Sequence, residues 1–329
     1  MPTPEPPPAV IWLQRGQQAE AAGTAAALTE ALGHYDQALA ALDRTDAGPV
    51  RLRGLIRMNR ANVLLRLRRP GDAVADYDEA LAAFGPLDPL SPPEARASIG
   101  GAWLNRAGAL RASKPEDHAA ALDSLDHAVK ALRTIPVDAH PVYRRNLAAA
   151  LVHRGDCLLR VQPPQPAAAA ASAREGAELI ASVEDRDPAS ADVGLKARLV
   201  LLGALGPQAN PGEATDLAES GVALARRWVE KGVVGFGPPA HRLIEIAGTL
   251  YQLHQPHFLA EFWREHLTPI AAAPAWAPPH VLRESALRSL RPAWHALQEQ
   301  RLRDPSVAND RVLAALEEIE SLVRELERA

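Results

Sequence analysis

The chain has 329 residues, of which 47% are apolar, 4% aromatic and 23% charged, with a formal net charge of −4 and one cysteine. The acidic balance argues against a nucleic-acid backbone as the main ligand, and a single cysteine excludes a disulfide framework. No apolar run reaches the roughly 18 residues of a membrane span, and the first residues lack the apolar core of a signal peptide. We therefore expect a cytoplasmic protein that binds neither nucleic acid nor membrane.

Helix formers dominate the sequence from end to end. Alanine and leucine are the main apolar residues, and no stretch shows sustained alternation of β-branched residues, so an all-α chain is predicted. The 29 prolines fit this prediction because they cluster between the periodic runs, where proline ends one helix or opens the next. The proline-rich residues 1–8 are expected to be disordered, and helices follow over about 9–22 and 24–43.

The stretch 56–83 carries the clearest pattern. Ala61 lies where two helices must touch, and twelve residues later Ala73 opens an A-x3-[F/Y]-x2-A pattern that continues with Tyr77 and Ala80. This stretch resembles one complete tetratricopeptide (TPR) repeat. The resemblance implies an antiparallel helix pair that cannot bury its apolar face alone and therefore stacks against further pairs.

Longer and looser copies of this helix pair extend the pattern along the chain. The small residues at the predicted helix crossings, spaced 45 to 48 residues apart, are Gly16, Ala61, Ala107, Gly155 and Gly203. Only glycine or alanine lets two helix backbones approach closely, so we predict an α-solenoid of about five TPR-like antiparallel helix pairs over 9–231. In the fourth copy, the second-helix pattern is predicted at Ala170, Arg174 and Ala177.

Charged residues repeat in register with the helix pairs. Each of the first four crossing residues follows an arginine, and an acid follows the large residue of each second helix: Arg15, Arg60, Arg106 and Arg154 with Asp36, Asp78, Asp126 and Glu175. One interpretation is a row of arginines that binds an acidic ligand. We favour an ion pair inside each helix pair, whose loss would destabilise the fold if it is buried.

A glycine-rich break at 232–239 marks the start of a predicted C-terminal helical subdomain, 232–329. Its predicted helices cover about 239–254, 257–268, 279–302 and 306–328. The last of them is amphipathic, with apolar residues at 4-3-4-3 spacing and glutamates on its other face. We interpret it as a capping helix at the open end of the array. A short dimerising coiled coil is the alternative, which leaves both a monomer and a homodimer open.

The TPR resemblance also predicts a binding surface, because the concave groove of TPR proteins is lined by the first helix of each pair. Carried over by register, the groove residues are Gln14, Gln17, Asn59, Asn62, Arg66, Asn105, Arg111, His153, Asp156 and Arg160. Side-chain amides suit an extended peptide because they donate and accept hydrogen bonds without charge; the alternative is that they only contact water. Some TPR modules bind a peptide carboxylate through a lysine and asparagines, but Met58 occupies the lysine position here, so this clamp is incomplete.

The predicted function is a non-enzymatic scaffold or adaptor that binds a protein or peptide partner in the groove, with no cofactor and no metal. A ligand- or peptide-responsive regulator of the same fold is the first alternative. A metal-dependent enzyme is the second, because His241 and Glu245, like His257 and Glu261, lie one helical turn apart. No phosphate-loop, dinucleotide-binding or nucleophile-elbow motif occurs in the sequence.

Overall fold

The computed structural model describes residues 6–43, 50–86, 88, 90–136, 140–205, 211–233, 235–271, 279–303 and 310–328. Within these ranges the chain is all-α, as predicted. Its α-helices are α1 (Pro8–Ala22), α2 (Ala25–Asp43), α3 (Val50–Arg66), α4 (Pro70–Phe84), α5 (Pro93–Ser113), α6 (His118–Leu132), α7 (Pro141–Arg160), α8 (Pro166–Ile180), α9 (Pro188–Leu205), α10 (Pro211–Glu230), α11 (Gly237–His254), α12 (Leu259–Ala271), α13 (Pro279–Arg303) and α14 (Asp310–Arg328). A 3-10 turn, Pro256–Phe258, joins α11 to α12.

Proline sets many of the helix starts, as the sequence indicated. Eight of the described helices begin at a proline. The first turn of a helix does not use the N–H that proline lacks, and the fixed φ angle of the ring already suits the helix. Pro292 is different because it lies inside α13, where it removes one backbone hydrogen bond.

The chain forms two compact units, 1–172 and 173–329. The predicted boundary between a repeat array and a C-terminal subdomain, at residues 231 and 232, falls inside the second unit, where α10 packs against α11. That division remains a prediction about the repeat pattern. Of the segment 1–8 that we expected to be disordered, residues 1–5 lie outside the described residues and Pro8 begins α1.

The cores of the first unit join neighbouring helix pairs. One cluster, mainly from α1 and α2, also contains Ile56 of α3. The next surrounds Tyr77 and includes Ala109 of α5, and a third surrounds Leu125 and includes Cys157 of α7. Each pair therefore buries part of its apolar face against the pair that follows, which is how a helical-repeat solenoid is stabilised.

The small residues at the first four predicted crossings are buried. A Cβ atom added to Gly16 would clash with the Tyr35 ring, which explains the need for glycine at this crossing. The fifth predicted crossing is wrong, because Gly203 is exposed. The close approach in α9 is instead at Gly194, where a Cβ would clash with the Glu184 carboxylate. Spacing alone had selected a glycine on the outer side of α9.

The second-helix pattern is confirmed in α2, α4 and α6. The predicted residues that are fully buried there are Ala31, Tyr35, Ala38, Ala73, Tyr77, Ala80, Ala121, Leu125 and Ala128. In α8 the predicted register is wrong by one residue, since Arg174 is exposed while Ala169 and Ala173 are buried. The run of alanines at 167–171 offers no size difference from which the buried position could be read.

The second unit has a continuous core to which α9 through α14 contribute. Trp263 is fully buried in it, and its Nε1 donates to Ser289 Oγ at 2.7 Å. Val312, Leu316 and Ile319 of α14 are buried in the same core. The apolar stripe of the predicted amphipathic helix is thus covered within its own unit.

Candidate partner-binding surface

The predicted arginine row forms ion pairs, but these pairs connect neighbouring helix pairs. In each case the guanidinium Nε donates to an aspartate on the second helix of the preceding pair: Arg60 to Asp36 at 2.8 Å, Arg106 to Asp78 at 2.6 Å and Arg154 to Asp126 at 2.6 Å. The acids predicted to pair with these three arginines inside their own helix pairs, Asp78, Asp126 and Glu175, are therefore wrong, although Arg60 also forms an ion pair inside its own helix pair, with Asp76. Arg15, on the first helix of the first pair, instead lies over the Trp12 ring.

Each of these arginines also contacts the second helix of its own pair. In Arg60, Arg106 and Arg154, Nη1 of the guanidinium donates to a buried polar side chain. Arg60 donates to Asp76 at 2.6 Å, Arg106 to Ser124 at 2.7 Å and Arg154 to Ser172 at 2.7 Å. We call the nine residues of these three bridges the arginine ladder. Sequence reasoning missed its buried members, although each lies directly before a fully buried residue of its second helix, namely Tyr77, Leu125 or Ala173.

Asp76 is the residue of the ladder that most needs a positively charged partner, because it is a carboxylate with only 3% of its surface exposed. Arg57 donates to it at 2.8 Å, in addition to Arg60. Burial alone would lower the pKa of the Arg60 guanidinium, but the charges and hydrogen bonds of Asp76 and Asp36 outweigh burial and raise it. The two arginines thus supply the positive charge that a buried carboxylate requires.

The ten predicted groove residues all lie on first helices, namely α1, α3, α5 and α7. Gln14 and Gln17 are exposed on α1, and Asn59 is half-buried on α3. The other seven take part in hydrogen bonds or ion pairs, most of which join one first helix to the next. Two of the amides that were expected to bind a ligand, Asn62 and Asn105, therefore hydrogen-bond to each other.

Asn62 of α3 is the centre of one such connection. Its Oδ1 accepts from the Tyr77 hydroxyl at 2.5 Å and from Asn105 Nδ2 of α5 at 3.1 Å. Burial raises the pKa of Tyr77 well above its usual value, so the hydroxyl remains a donor at neutral pH. At the preceding junction, Arg66 donates to the Glu20 carbonyl at 3.2 Å and pairs with its carboxylate at 3.5 Å, which connects α3 to α1.

Arg111 connects α5 to α7. It donates to the Asp156 carboxylate, and its guanidinium lies 3.3 Å from His153 Nδ1. Asp156 also accepts from Arg160 Nε at 3.0 Å. Arg111 and Arg160 were predicted to supply positive charge near the groove, but both guanidinium groups pair with the Asp156 carboxylate.

A cleft of about 210 Å³ lies among these residues. Its lining is Leu65, Leu104, Asn105, Ala107, Gly108, Arg111, Leu125 and His153. We call these residues except Leu125 of α6, together with Asn62 and Asp156, the first-helix surface. The cleft is smaller than the roughly 300–1,000 Å³ sites of drug-sized ligands. It has the size and the mainly apolar lining that suit one anchoring side chain, with amide, imidazole and guanidinium groups also present.

The first of the two histidine and glutamate pairs, His241 with Glu245, has partners within the protein. His241 Nε2 lies 3.1 Å from Ser285 Oγ, and Glu245 Oε1 accepts from Ser285 at 2.7 Å and from Arg288. Burial would raise the pKa of Glu245, but the Ser285 hydrogen bond and the charges of His241 and Arg288 lower it. Within the part of the chain that the structure describes, no three His, Cys, Asp or Glu side chains are grouped to hold a metal ion.

None of the described helices combines the length and the apolar character that crossing a bilayer requires.

No protein-family model and no curated protein matches the chain. Among solved structures, the apo form of RapI is similar over 97% of this chain and 97% of that chain, with a TM-score of 0.55 and 12% identity. The TPR domain of P58(IPK) matches over 98% and 99%, with a TM-score of 0.21 and 15% identity.

At such low identity the likeness to RapI concerns the fold alone. Together with the stacked helix pairs, it defines the chain as an all-α solenoid of helical repeats. More specifically, it is a TPR-like helical repeat protein, as the buried pattern of Ala61, Ala73, Tyr77 and Ala80 indicates.

Proposed function

We propose that this protein is a non-enzymatic interaction scaffold or adaptor that binds a peptide or a partner helix on the first-helix surface. The observation that carries the proposal is the cleft of about 210 Å³, whose lining comes mainly from α5 with residues of α3, α6 and α7. Helical-repeat proteins use the extended surfaces of their stacked repeats to bind partners. Hydrogen bonds already hold α3, α5 and α7 together, so little ordering of the scaffold would be needed on binding.

In this proposal, the apolar and the polar lining residues make different kinds of contact with the partner. Leu65 and Leu104 would contact an apolar anchor of the partner, and Asn105 and His153 would hydrogen-bond to its backbone. Arg111 would favour a partner with an acidic group beside the anchor. Gln14, Gln17, Asn59 and Arg66 would extend the contact toward α1, and Asp156 and Arg160 would extend it along α7.

Two helical glycines allow a matched test. Gly108 lines the cleft on α5, whereas Gly33 lies on the second helix α2; both are exposed, and a Cβ at either meets no atom within 4 Å. We expect Gly108→Trp to abolish capture of the partner from the native host, because the indole would fill the cleft, and Gly33→Trp to retain it. Equal capture by the two variants, with circular dichroism showing both folded, would contradict the proposal.

A ligand-responsive regulator is the second candidate, and the bridges between first helices favour it. A ligand that hydrogen-bonds to Asn105 or Arg111 has to compete with Asn62 or Asp156, which connect neighbouring helix pairs. Binding would then alter the spacing of the repeats. A change in the radius of gyration by small-angle X-ray scattering on adding the captured partner or its peptide supports this mechanism, and an unchanged radius supports a static adaptor.

A further inference from the structure

The compact unit 173–329 contains a cleft of about 520 Å³. It is lined by one face of α10, by the C-terminal end of α11 with the 3-10 turn that follows, and by α12. Its volume lies within the range of about 300–1,000 Å³ that is typical of small-molecule binding sites. It does not depend on the first-helix surface, so it can be tested separately from the proposed function.

Aromatic rings form the apolar part of this cleft. Tyr251 and Phe262 stack with their ring centroids 4.9 Å apart, and Phe258 is 39% exposed. The guanidinium of Arg311 lies 4.8 Å from the centroid of the Phe258 ring. An aromatic face attracts a cation because its π-electrons are the negative part of the ring quadrupole, and Phe258 already shows this contact within the protein.

Carboxylates form the polar part of the cleft. Glu219 of α10 accepts a hydrogen bond from the Tyr251 hydroxyl, and Glu261 and Glu265 lie one turn apart on α12. Arg226 contributes the opposing charge and pairs with Glu265 at 3.5 Å. Burial, the hydrogen bond to Glu219 and the charges of Glu219, Glu265 and Glu261 raise the pKa of Tyr251 above its usual value. The lining therefore carries more negative than positive charge.

We propose that this cleft binds an arginine or lysine side chain presented by a peptide segment of a partner protein. Such a side chain would make an ion pair and a cation–π contact. Both kinds of contact already occur here with the protein's own arginines, since Arg226 pairs with Glu265 and Arg311 lies over Phe258. A guanidinium can pair with a carboxylate through two parallel hydrogen bonds while its flat face lies on a ring. A divalent metal suits the cleft less well, because its described carboxylates are not grouped as metal ligands.

The test uses the full chain and a fluorescein-labelled hexapeptide in which arginine alternates with glycine. A second peptide carries citrulline in place of arginine, which keeps the shape and removes the charge. By fluorescence anisotropy we expect the arginine peptide to bind and the citrulline peptide to bind at least about fivefold more weakly, since it lacks both the ion pair and the cation–π contact.

Variants locate the site. The double substitution Glu261→Gln with Glu265→Gln should weaken arginine-peptide binding by about fivefold or more. The matched control is Glu317→Gln with Glu318→Gln, which removes the same charge from exposed positions of α14 and should leave affinity within about twofold. Phe258→Ala changes no charge and should cost about threefold, through the lost cation–π contact. Circular dichroism should show all three variants folded.

Four results would overturn the proposal. They are the absence of binding by the arginine peptide, equal binding of the citrulline peptide, equal losses in the two double variants, and displacement by spermidine at a concentration equal to that of unlabelled peptide. Equal losses would mean that net charge attracts the peptide without a site, and displacement by spermidine would indicate a small polyamine as the ligand.

Discussion

Replacing Arg60 with alanine tests how neighbouring helix pairs are held together. The substitution removes two bonds at once, the pair with exposed Asp36 at 2.8 Å and the pair with buried Asp76 at 2.6 Å. An exposed pair contributes about 0.2–1 kcal/mol. A buried carboxylate that loses its partner costs about 3–5 kcal/mol, but Arg57 still donates to Asp76. We therefore expect Arg60→Ala to lower the local free energy of unfolding by about 2–3 kcal/mol.

Two other arginines supply graded controls for this experiment. Arg106→Ala removes an exposed ion pair with Asp78 and a hydrogen bond to the Ser124 hydroxyl, which predicts a loss of about 1–2 kcal/mol. Arg15→Ala removes an exposed side chain that lies over Trp12, and the predicted loss is about 0.5 kcal/mol. The expected order of destabilisation is thus Arg60, then Arg106, then Arg15.

Hydrogen exchange followed by mass spectrometry is the suitable assay, because a chain with two compact units need not unfold in one step. Peptides from α2, α3 and α4 report the opening free energy around Arg60, and peptides from α5 and α6 report it around Arg106. Equal losses for the three variants would refute the reasoning, and so would a larger effect of Arg106→Ala than of Arg60→Ala. Either result would mean that burial of Asp76 does not control the strength of the junction.

Two further predictions concern packing and pH. Gly54→Ala should destabilise by about 1–3 kcal/mol, because its Cβ would lie 2.6 Å from the Phe84 ring, whereas Gly108→Ala meets open space and should stabilise by about 0.5–1 kcal/mol; thermal unfolding compares the two directly. Burial and the charge of Arg311 lower the pKa of His257 below its ordinary 6.5. As the pH falls, His257 is therefore protonated in the unfolded chain before it is protonated in the folded chain. The free energy of unfolding should then decrease as the pH drops below about 6.5 toward the folded-state pKa. Urea titrations should show a smaller decrease for His257→Gln.

The helices and the TPR-like packing could be predicted because their signals are local. Periodic alanine and leucine, proline at helix starts and the residues around Tyr77 each act over one or two turns, and the structure confirms them. Where the local signal is weak the prediction fails. The alanine run at the start of α8 left the register open by one residue, and the glycine that allows close approach in α9 is Gly194, although Gly203 has the better spacing.

Partner choice in the arginine ladder could not be read from the sequence. Asp36 lies between Arg15 and Arg60 in the chain, so it could pair within its own helix pair or with the next one. The observed pairs span 24 and 28 residues because neighbouring pairs stack closely enough for each arginine to reach back to the preceding second helix. A signal for Asp76 did exist, since Arg57 and Arg60 lie one turn apart and face a carboxylate in an otherwise apolar row.

The groove residues show the same limit. Asn62 and Asn105 were expected to offer their amides to a ligand, yet they hydrogen-bond to each other across α3 and α5. A sequence shows that two amides share a face, but whether they bond to each other depends on the distance between the helices. The cleft beside Leu65 and Leu104 was not predicted for the same reason, since it arises from the spacing of stacked pairs.

Site-specific photo-crosslinking tests the central claim most directly. A benzoylphenylalanine placed at Gly108 lies in the cleft of the first-helix surface, and one placed at Gly33 lies on the exposed part of α2. After irradiation in the native host, we predict a covalent adduct with a partner protein from position 108 and none with that partner from position 33. An adduct with the same partner from position 33 alone, or equally from both positions, would contradict the assignment of the first-helix surface as the binding site.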